Sequence, residues 1–289
     1  MLVPQIVFCA FILTLSISLS GASLPAHAVG RCVRVLGVTA PEDAKKVGFD
    51  YIELALQDLL PLNDKEFDEV VARIRAIGLP ALSGYGFMPA KVKIVGPDAD
   101  PASIESSLRT GLQRAEKLGL KMVVYGNLLS EARRYPEGFS KETAWKQLVA
   151  FGHSAANEAK KHGITILFEP MPARSTNTVN TIAEALELVK EVNDPNFQML
   201  IDFTYVAQGK EDLSIVQRAA PYIKQVEIAN PNGRVYPRVA EEADYTSFFQ
   251  ALKRGGYGGG FSIHGAPSDF FVDAPRAIAL LRQLISQNF

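Results

Sequence analysis

"GITILFEPMPARSTNTVNTIAEALELVKEVNDPNFQMLIDF", residues 163–203, decides the fold. Two short runs rich in β-branched and aromatic residues, "ITILFEP" and "FQMLIDF", flank the helical stretch "TIAEALELVKEV". Thr181 and Glu184 stand three apart and read as a capping box, which fixes where the helix starts. A strand, a helix and a second strand in this order form a crossover unit, and the two strands must run parallel. Side chains alternate along a strand. One face therefore carries Thr165, Leu167 and Glu169 on the first strand, and Gln198, Leu200 and Asp202 on the second.

The same unit recurs on both sides. "VRVLGVT", "DYIELAL", "PALSGYGF" and "KMVVYGN" precede it, and "IKQVEIAN" and "GFSIHG" follow. Helices with legible punctuation separate them. "NDKEFDEVVARIRAIG" has Asn63 as N-cap and Glu66 three later, with Phe67, Val70, Val71 and Ile74 on one side. "DPASIESSLRTGLQRAEKLG" opens with Pro101 in its first turn and stops at Gly119. Ser140 caps the next helix and Gly163 ends it, and Asp273 is the expected cap of the last. Eight strands alternating with helices predict a (β/α)8 TIM barrel of the α/β class. The alternative, an open doubly wound sheet, usually carries a glycine-rich fingerprint after its first strand, and "GVTAPEDA" is not one.

Length and composition agree. A chain of 289 residues, 47% hydrophobic and 21% charged, can bury the core of one barrel domain. With a formal net charge of −1 and no basic run, nucleic acid is not an expected partner. The first thirty residues differ from the rest. Leu2 to Gly30 contains no Asp, Glu, Lys or Arg, and "IVFCAFILTLSISL" is followed by "SLPAHA", with the small-x-small spacing of Ala26 and Ala28. The expected organisation is a signal peptide at 1–28 and the barrel at 29–289. That implies export to the periplasm or medium, with no stable membrane association after cleavage. Without such a signal the chain is cytoplasmic or membrane-anchored. Only Cys32 survives cleavage, so no intrachain disulfide is expected. A homo-oligomer is left open.

In a barrel of this kind, chemistry gathers at the C-terminal strand ends. By parity, "IKQVEIAN" turns Gln225 and Glu227 inward, and "GGFSIHG" turns Gly260, Ser262 and His264 inward. Four consecutive strands thus end on an ionisable group facing one axis: Glu169, Asp202, Glu227 and His264. Three carboxylates so placed repel one another, and a divalent cation completed by one imidazole removes that cost.

From Val33 onward the chain resembles the xylose isomerase-like TIM barrels, the broad sugar-phosphate isomerase/epimerase family. The resemblance is carried by "GFDYIEL", "EARRYPEGFSKETAW", "LFEPMPARSTNTVNTIAEALELVKEVNDPNFQMLIDFTY", "VEIANPNGRVYP" and "DYTSFFQALKRGGYGGGFSIHG". It implies one Mn²⁺, Co²⁺, Mg²⁺ or Zn²⁺ ion held by Glu, Asp, His and Glu at the ends of strands five to eight. Glu169 and Asp202 match the first two ligands. The last two are exchanged, with Glu227 where the family has His and His264 where it has Glu. Tyr205 also stands where many members have a histidine. The chain's four histidines are too few for the three-metal relative endonuclease IV.

The resemblance implies an isomerase or epimerase acting on a sugar or polyol ketone through a metal-stabilised enediolate. Glu169 moves the proton and His264 is the candidate for the opposite face. Arg234 is expected to orient substrate oxygens. Glu53, Tyr85, Tyr125 and Tyr205 are further candidates for substrate contact. Two other readings remain at this stage: a metal-dependent lyase or hydrolase on oxidised glycosides, and a sugar-binding barrel without turnover. Sugar phosphates are mostly intracellular, so export argues against a phosphorylated substrate.

Overall fold

A computed structural model describes residues 26–33 and 41–289. Most of the expected signal segment, and most of the "VRVLGVT" run, lie outside the described residues. Eight parallel strands close into a barrel in sequence order: β1 Val29–Val33, β2 Tyr51–Ala55, β3 Ala81–Tyr85, β4 Met122–Tyr125, β5 Thr165–Phe168, β6 Phe197–Asp202, β7 Ile223–Ile228 and β8 Gly260–Ile263. The ring closes through Val29, Gly30 and Arg31 of β1 against Phe261, Ser262 and Ile263 of β8. The first strand therefore starts earlier than the expected run at 33–39, directly after Ala28.

The surrounding helices are α1 Pro41–Val47, α2 Asp64–Ile77, α3 Pro101–Lys117, α4 Lys141–Lys161, α5 Ile182–Val192, α6 Phe203–Gly209, α7 Leu213–Ala219, α8 Tyr245–Arg254 and α9 Phe270–Asn288. The capping boxes at Asn63/Glu66 and Thr181/Glu184 are both formed. The apolar faces of α2 and α3 are buried against the strands through Phe67, Val70, Val71 and Ile74, and through Ile104, Leu108, Leu112 and Ala115. Each of the larger apolar side chains among them contributes up to roughly 1.5–3 kcal/mol. None of the helices among the described residues is long and apolar enough to cross a membrane.

One helix start is corrected. α9 begins at Phe270 with Asp269 as its N-cap, not at Asp273. The Asp273 carboxylate instead reaches back to accept the backbone N–H groups of Ser268 and Asp269, at 2.7 and 3.2 Å. An acid in the first helical turn satisfies donors that the helix itself leaves unpaired.

The barrel interior is divided by chemistry. Val124, Leu167 and Leu200, from β4, β5 and β6, form an apolar half with Tyr85 and Met122 packed against it. The other half is a polar layer from β2, β3, β7 and β8. Ser83 Oγ donates to Glu53 at 2.5 Å, Gln225 Nε2 donates to Glu53 and, at 2.9 Å, to Ser262, and the Tyr51 hydroxyl bonds Ser262 Oγ at 2.9 Å. Tyr51 needs the space that Gly30 leaves, because a Cβ there would sit 2.3 Å from its ring. Hydrogen bonds among its members offset most of the cost of burying this layer, with Gln225 Oε1 left unpaired.

Candidate active site

The inward parity of β5 to β8 delivers Glu169, Asp202, Glu227 and His264 to the mouth of the barrel. Glu169 follows β5 directly, and its N–H donates to the Tyr125 carbonyl at 3.1 Å. Asp202 ends β6 and caps α6, accepting the Thr204 N–H at 2.7 Å. Asp202 and Glu227 are direct partners in the β6–β7 register. His264 follows β8, with its N–H donating to the Ile228 carbonyl at 3.0 Å, and its Nδ1 is hydrogen-bonded to Glu227 Oε2.

Carboxylate oxygens of Glu169, Asp202 and Glu227 lie within 4.8 Å of one another, and all three residues are buried. A second cluster of the same tightness contains Glu53, Glu227 and His264. The four expected ligands therefore converge, but as two overlapping triads that share Glu227. The all-oxygen triad suits a hard divalent cation. Its fit rests on the donor set itself, three anionic side chains withdrawn from water and turned on one point.

Electrostatics reflect this crowding. Burial, with the neighbouring charges of Glu227 and Asp202, pushes the Glu169 carboxyl well above the usual carboxylate range. Burial, with Glu53 and Asp202, does the same to Glu227. Burial and the Arg234 charge pull the His264 imidazolium below its ordinary value. Cations answer from two sides. Arg234 Nη2 lies 2.5 Å from Asp202 Oδ2 and 3.7 Å from Glu227 Oε2, with its guanidinium 5.0 Å from the centre of the Tyr205 ring. Burial opposes the Arg234 charge, but Asp202, Tyr205 and Glu227 together hold it above its ordinary value.

The second cation was not singled out in the sequence. Arg133 is fully buried, stacks 4.6 Å from the centre of the Phe168 ring, and donates through Nη2 to the Glu169 carbonyl at 2.7 Å. Nothing in "EARRYP" distinguishes it from the neighbouring Arg134, which faces outward and pairs with Glu131 at 3.2 Å. Only packing makes that distinction.

The substrate-contact candidates separate. Tyr85 faces inward, with its ring 5.8 Å from that of His264. Tyr205 is half-buried beside Arg234. Tyr125 is corrected: it is fully buried on the outer face of β4, among Phe87, Phe151 and Phe168, so it cannot wall the pocket. The inward position at that strand end belongs to Gly126, where a Cβ would meet Glu169 Oε2 at 1.8 Å. Glu53 is corrected too. It is fully buried in the polar layer, bonded by Ser83 and Gln225, and braces the site from below instead of meeting substrate.

Comparison with known proteins follows the same lines. The family model described as xylose isomerase-like TIM barrel matches residues 41–283. A ketose 3-epimerase of Arthrobacter globiformis is 25% identical over 252 residues, covering 86% of this chain and 84% of that protein. Among solved structures, D-psicose 3-epimerase in the presence of D-fructose superposes with a TM-score of 0.75 at 19% identity, covering 89% of this chain and 99% of that one. The 3-keto-D-glucoside 4-epimerase of E. coli gives 0.72 at 18% identity, with the same coverage.

Proposed function

Because the chain belongs to the xylose isomerase-like TIM barrel family, we propose that it is a divalent-metal-dependent epimerase of a small sugar or polyol ketone. The observation that carries this reading is the convergence of Glu169, Asp202 and Glu227 within 4.8 Å at the strand ends. Relatives named as ketose 3-epimerases support the substrate class. A bound divalent cation would polarise the substrate carbonyl and make the neighbouring C–H more acidic.

The side chains supply the rest. Glu169 takes the proton from the carbon next to the carbonyl. That carbon becomes planar, and epimerisation requires a proton returned to its other face. His264 stands three strands away around the ring. As the imidazolium, with Nδ1–H on Glu227, it would return a proton from Nε2 and regain one from solvent, while Glu169 gives up the proton it took. The His264 Nδ1 is engaged by Glu227, which orients the imidazole and leaves Nε2 for the substrate. The exchange of ligand types on β7 and β8 thus replaces a second carboxylate base with a carboxylate-oriented histidine. Tyr85 packs beside His264 and restricts its ring, and Arg234 Nη1, buried without a partner, is available to a substrate oxygen.

The same proposal includes export, a reading supported by the apolar, charge-free N-terminal segment, and export favours an unphosphorylated substrate.

The test is incubation of Mn²⁺-loaded protein with ketoses in D₂O. Deuterium at the carbon next to the carbonyl, with inversion there, supports the reading. Binding without exchange would reduce the protein to a sugar-binding barrel, and elimination products would make it a lyase.

A further inference from the structure

Arg234 holds one of the two Asp202 oxygens open to a cation among Glu169, Asp202 and Glu227. Asp202 has two carboxylate oxygens. Oδ1 accepts the Thr204 N–H at 2.7 Å, which caps α6. Oδ2 is taken by Arg234 Nη2 at 2.5 Å. The same guanidinium nitrogen stands 3.7 Å from Glu227 Oε2, the residue common to both acidic triads. A divalent ion seated there and this guanidinium would compete for one oxygen and repel each other at close range.

The segment is built so that the arm can move while its base stays. Gly233 and Arg234 are consecutive left-handed residues, with φ of 84° and 52°. For arginine this is an uncommon conformation that the surroundings must hold. They do so through the backbone alone. The Arg234 carbonyl accepts the Ala266 N–H at 2.9 Å, and Asn230 N–H donates to the Val235 carbonyl at 2.9 Å. Val235 and Ala266 form a β-bridge. Beyond the backbone, the side chain rests on Asp202, Glu227 and the Tyr205 ring, and its Nη1 is buried without a hydrogen-bond partner. A change of side-chain rotamer frees Asp202 without disturbing the turn.

We propose that Arg234 is the resident counter-ion of the metal-free site, and that a divalent cation displaces it from Asp202. Released, the guanidinium turns to the mouth of the barrel and takes substrate oxygens, so metal loading precedes and raises substrate affinity. This rests on the metal-dependent reading above and adds an ordered exchange to it.

The experiment uses the full chain and Mn²⁺ alone. Calorimetric titration of Mn²⁺ into wild type and Arg234→Met compares affinities with the competing charge present and removed. Arg234→Met is expected to bind roughly tenfold or more tightly, a gain of about 1.4 kcal/mol. In wild type, labelling of Arg234 by phenylglyoxal, mapped by mass spectrometry, is expected to accelerate on Mn²⁺ addition. The labelling needs no variant, so it stands even where Arg234→Met fails to fold. Equal or weaker Mn²⁺ binding by a folded variant overturns the exchange while leaving the metal-dependent reading intact, as does labelling that is unchanged or slowed. No Mn²⁺ binding by either protein overturns both.

Discussion

His264 Nδ1 and Glu227 Oε2 share a hydrogen bond that ties the end of β8 to β7. It separates two roles that the strand ends alone leave merged. Glu227 belongs to both acidic triads, whereas His264 does not belong to the triad with Glu169 and Asp202. Glu227 is thus a ligand candidate that also orients the histidine.

Substitutions at these two residues should therefore differ. His264→Asn is expected to keep Mn²⁺ and lose about 10²–10⁴ in kcat, the usual range for a general acid or base. Glu227→Gln is expected to lose both metal and turnover. Metal content by elemental analysis, beside rates on one ketose, distinguishes them. Equal metal loss in both variants would return His264 to the coordination shell.

Gly126→Ala tests how tightly Glu169 is placed. A methyl group there would lie 1.8 Å from Glu169 Oε2. The variant should lose about 1–3 kcal/mol of stability as the carboxylate is pushed aside. Activity should fall further than that stability loss explains. Denaturant melts and kcat at a temperature where the variant is fully folded check both. Full activity would show that Glu169 has room to spare.

The metal-free protein should lose stability as pH rises. Glu169 and Glu227 have folded-state values raised above the ordinary 4.5. Their stabilising contribution is complete below 4.5 and is lost as pH climbs through the raised values. His264, lowered from 6.5, acts in the opposite sense: its contribution is present above 6.5 and lost as pH falls. Above 6.5 His264 adds no further slope, and its opposition to the carboxylates ends there. Mn²⁺ should flatten it, because the ion binds the deprotonated form. Thermal melts across pH, with Mn²⁺ or with a chelator, give the answer, and parallel curves would count against a shared metal site.

Processing after Ala28 would place a new ammonium group in a prepared position. The Val29 N–H already lies 2.8 Å from Asp50 Oδ2, and Arg282 holds the other oxygen at 3.0 Å. Cleavage would turn that hydrogen bond into an ion pair worth about 0.5–1 kcal/mol. It would also remove His27, whose ring lies 4.0 Å from that of Phe289. N-terminal sequencing of protein recovered outside the cytoplasm should read Val-Gly-Arg. A longer N-terminus retaining His27 would place the cleavage elsewhere.

Much of this was legible in the chain itself. Helix and strand periods differ, and a parallel unit needs a crossover, so residues 163–203 specify one repeat and the remaining runs complete eight. Parity then named Glu169, Asp202, Glu227 and His264 as facing one axis, because alternation along a strand is a local property. Helix starts at Asn63 and Thr181 were readable for the same reason, since a capping box spans only four residues. The short α6 and α7 were not anticipated. They stand beside the barrel through buried residues such as Phe203 and Val216, a matter of packing and not of a long periodic pattern.

What the sequence alone determined was which side chains share a face; what the tertiary structure decided was how deep each sits and what it touches. Glu53 and Gln225 are 172 residues apart, and only closure of the ring and the stagger of its strands bring them together beneath Glu227. Tyr125 was misread because an aromatic residue near a strand end can face either way, and Gly126 takes the inward place. Arg133 and Arg134 are adjacent and identical, yet one is sealed behind Glu169 and the other is half-buried at the surface, bonded to Glu131 and the Arg174 carbonyl. Arg234 was legible as a cation near the site, but its hold on Asp202 depends on a left-handed turn anchored to the neighbouring loop. Local alternation is written in the order of residues, whereas depth, stagger and charge pairing arise only when distant strands meet.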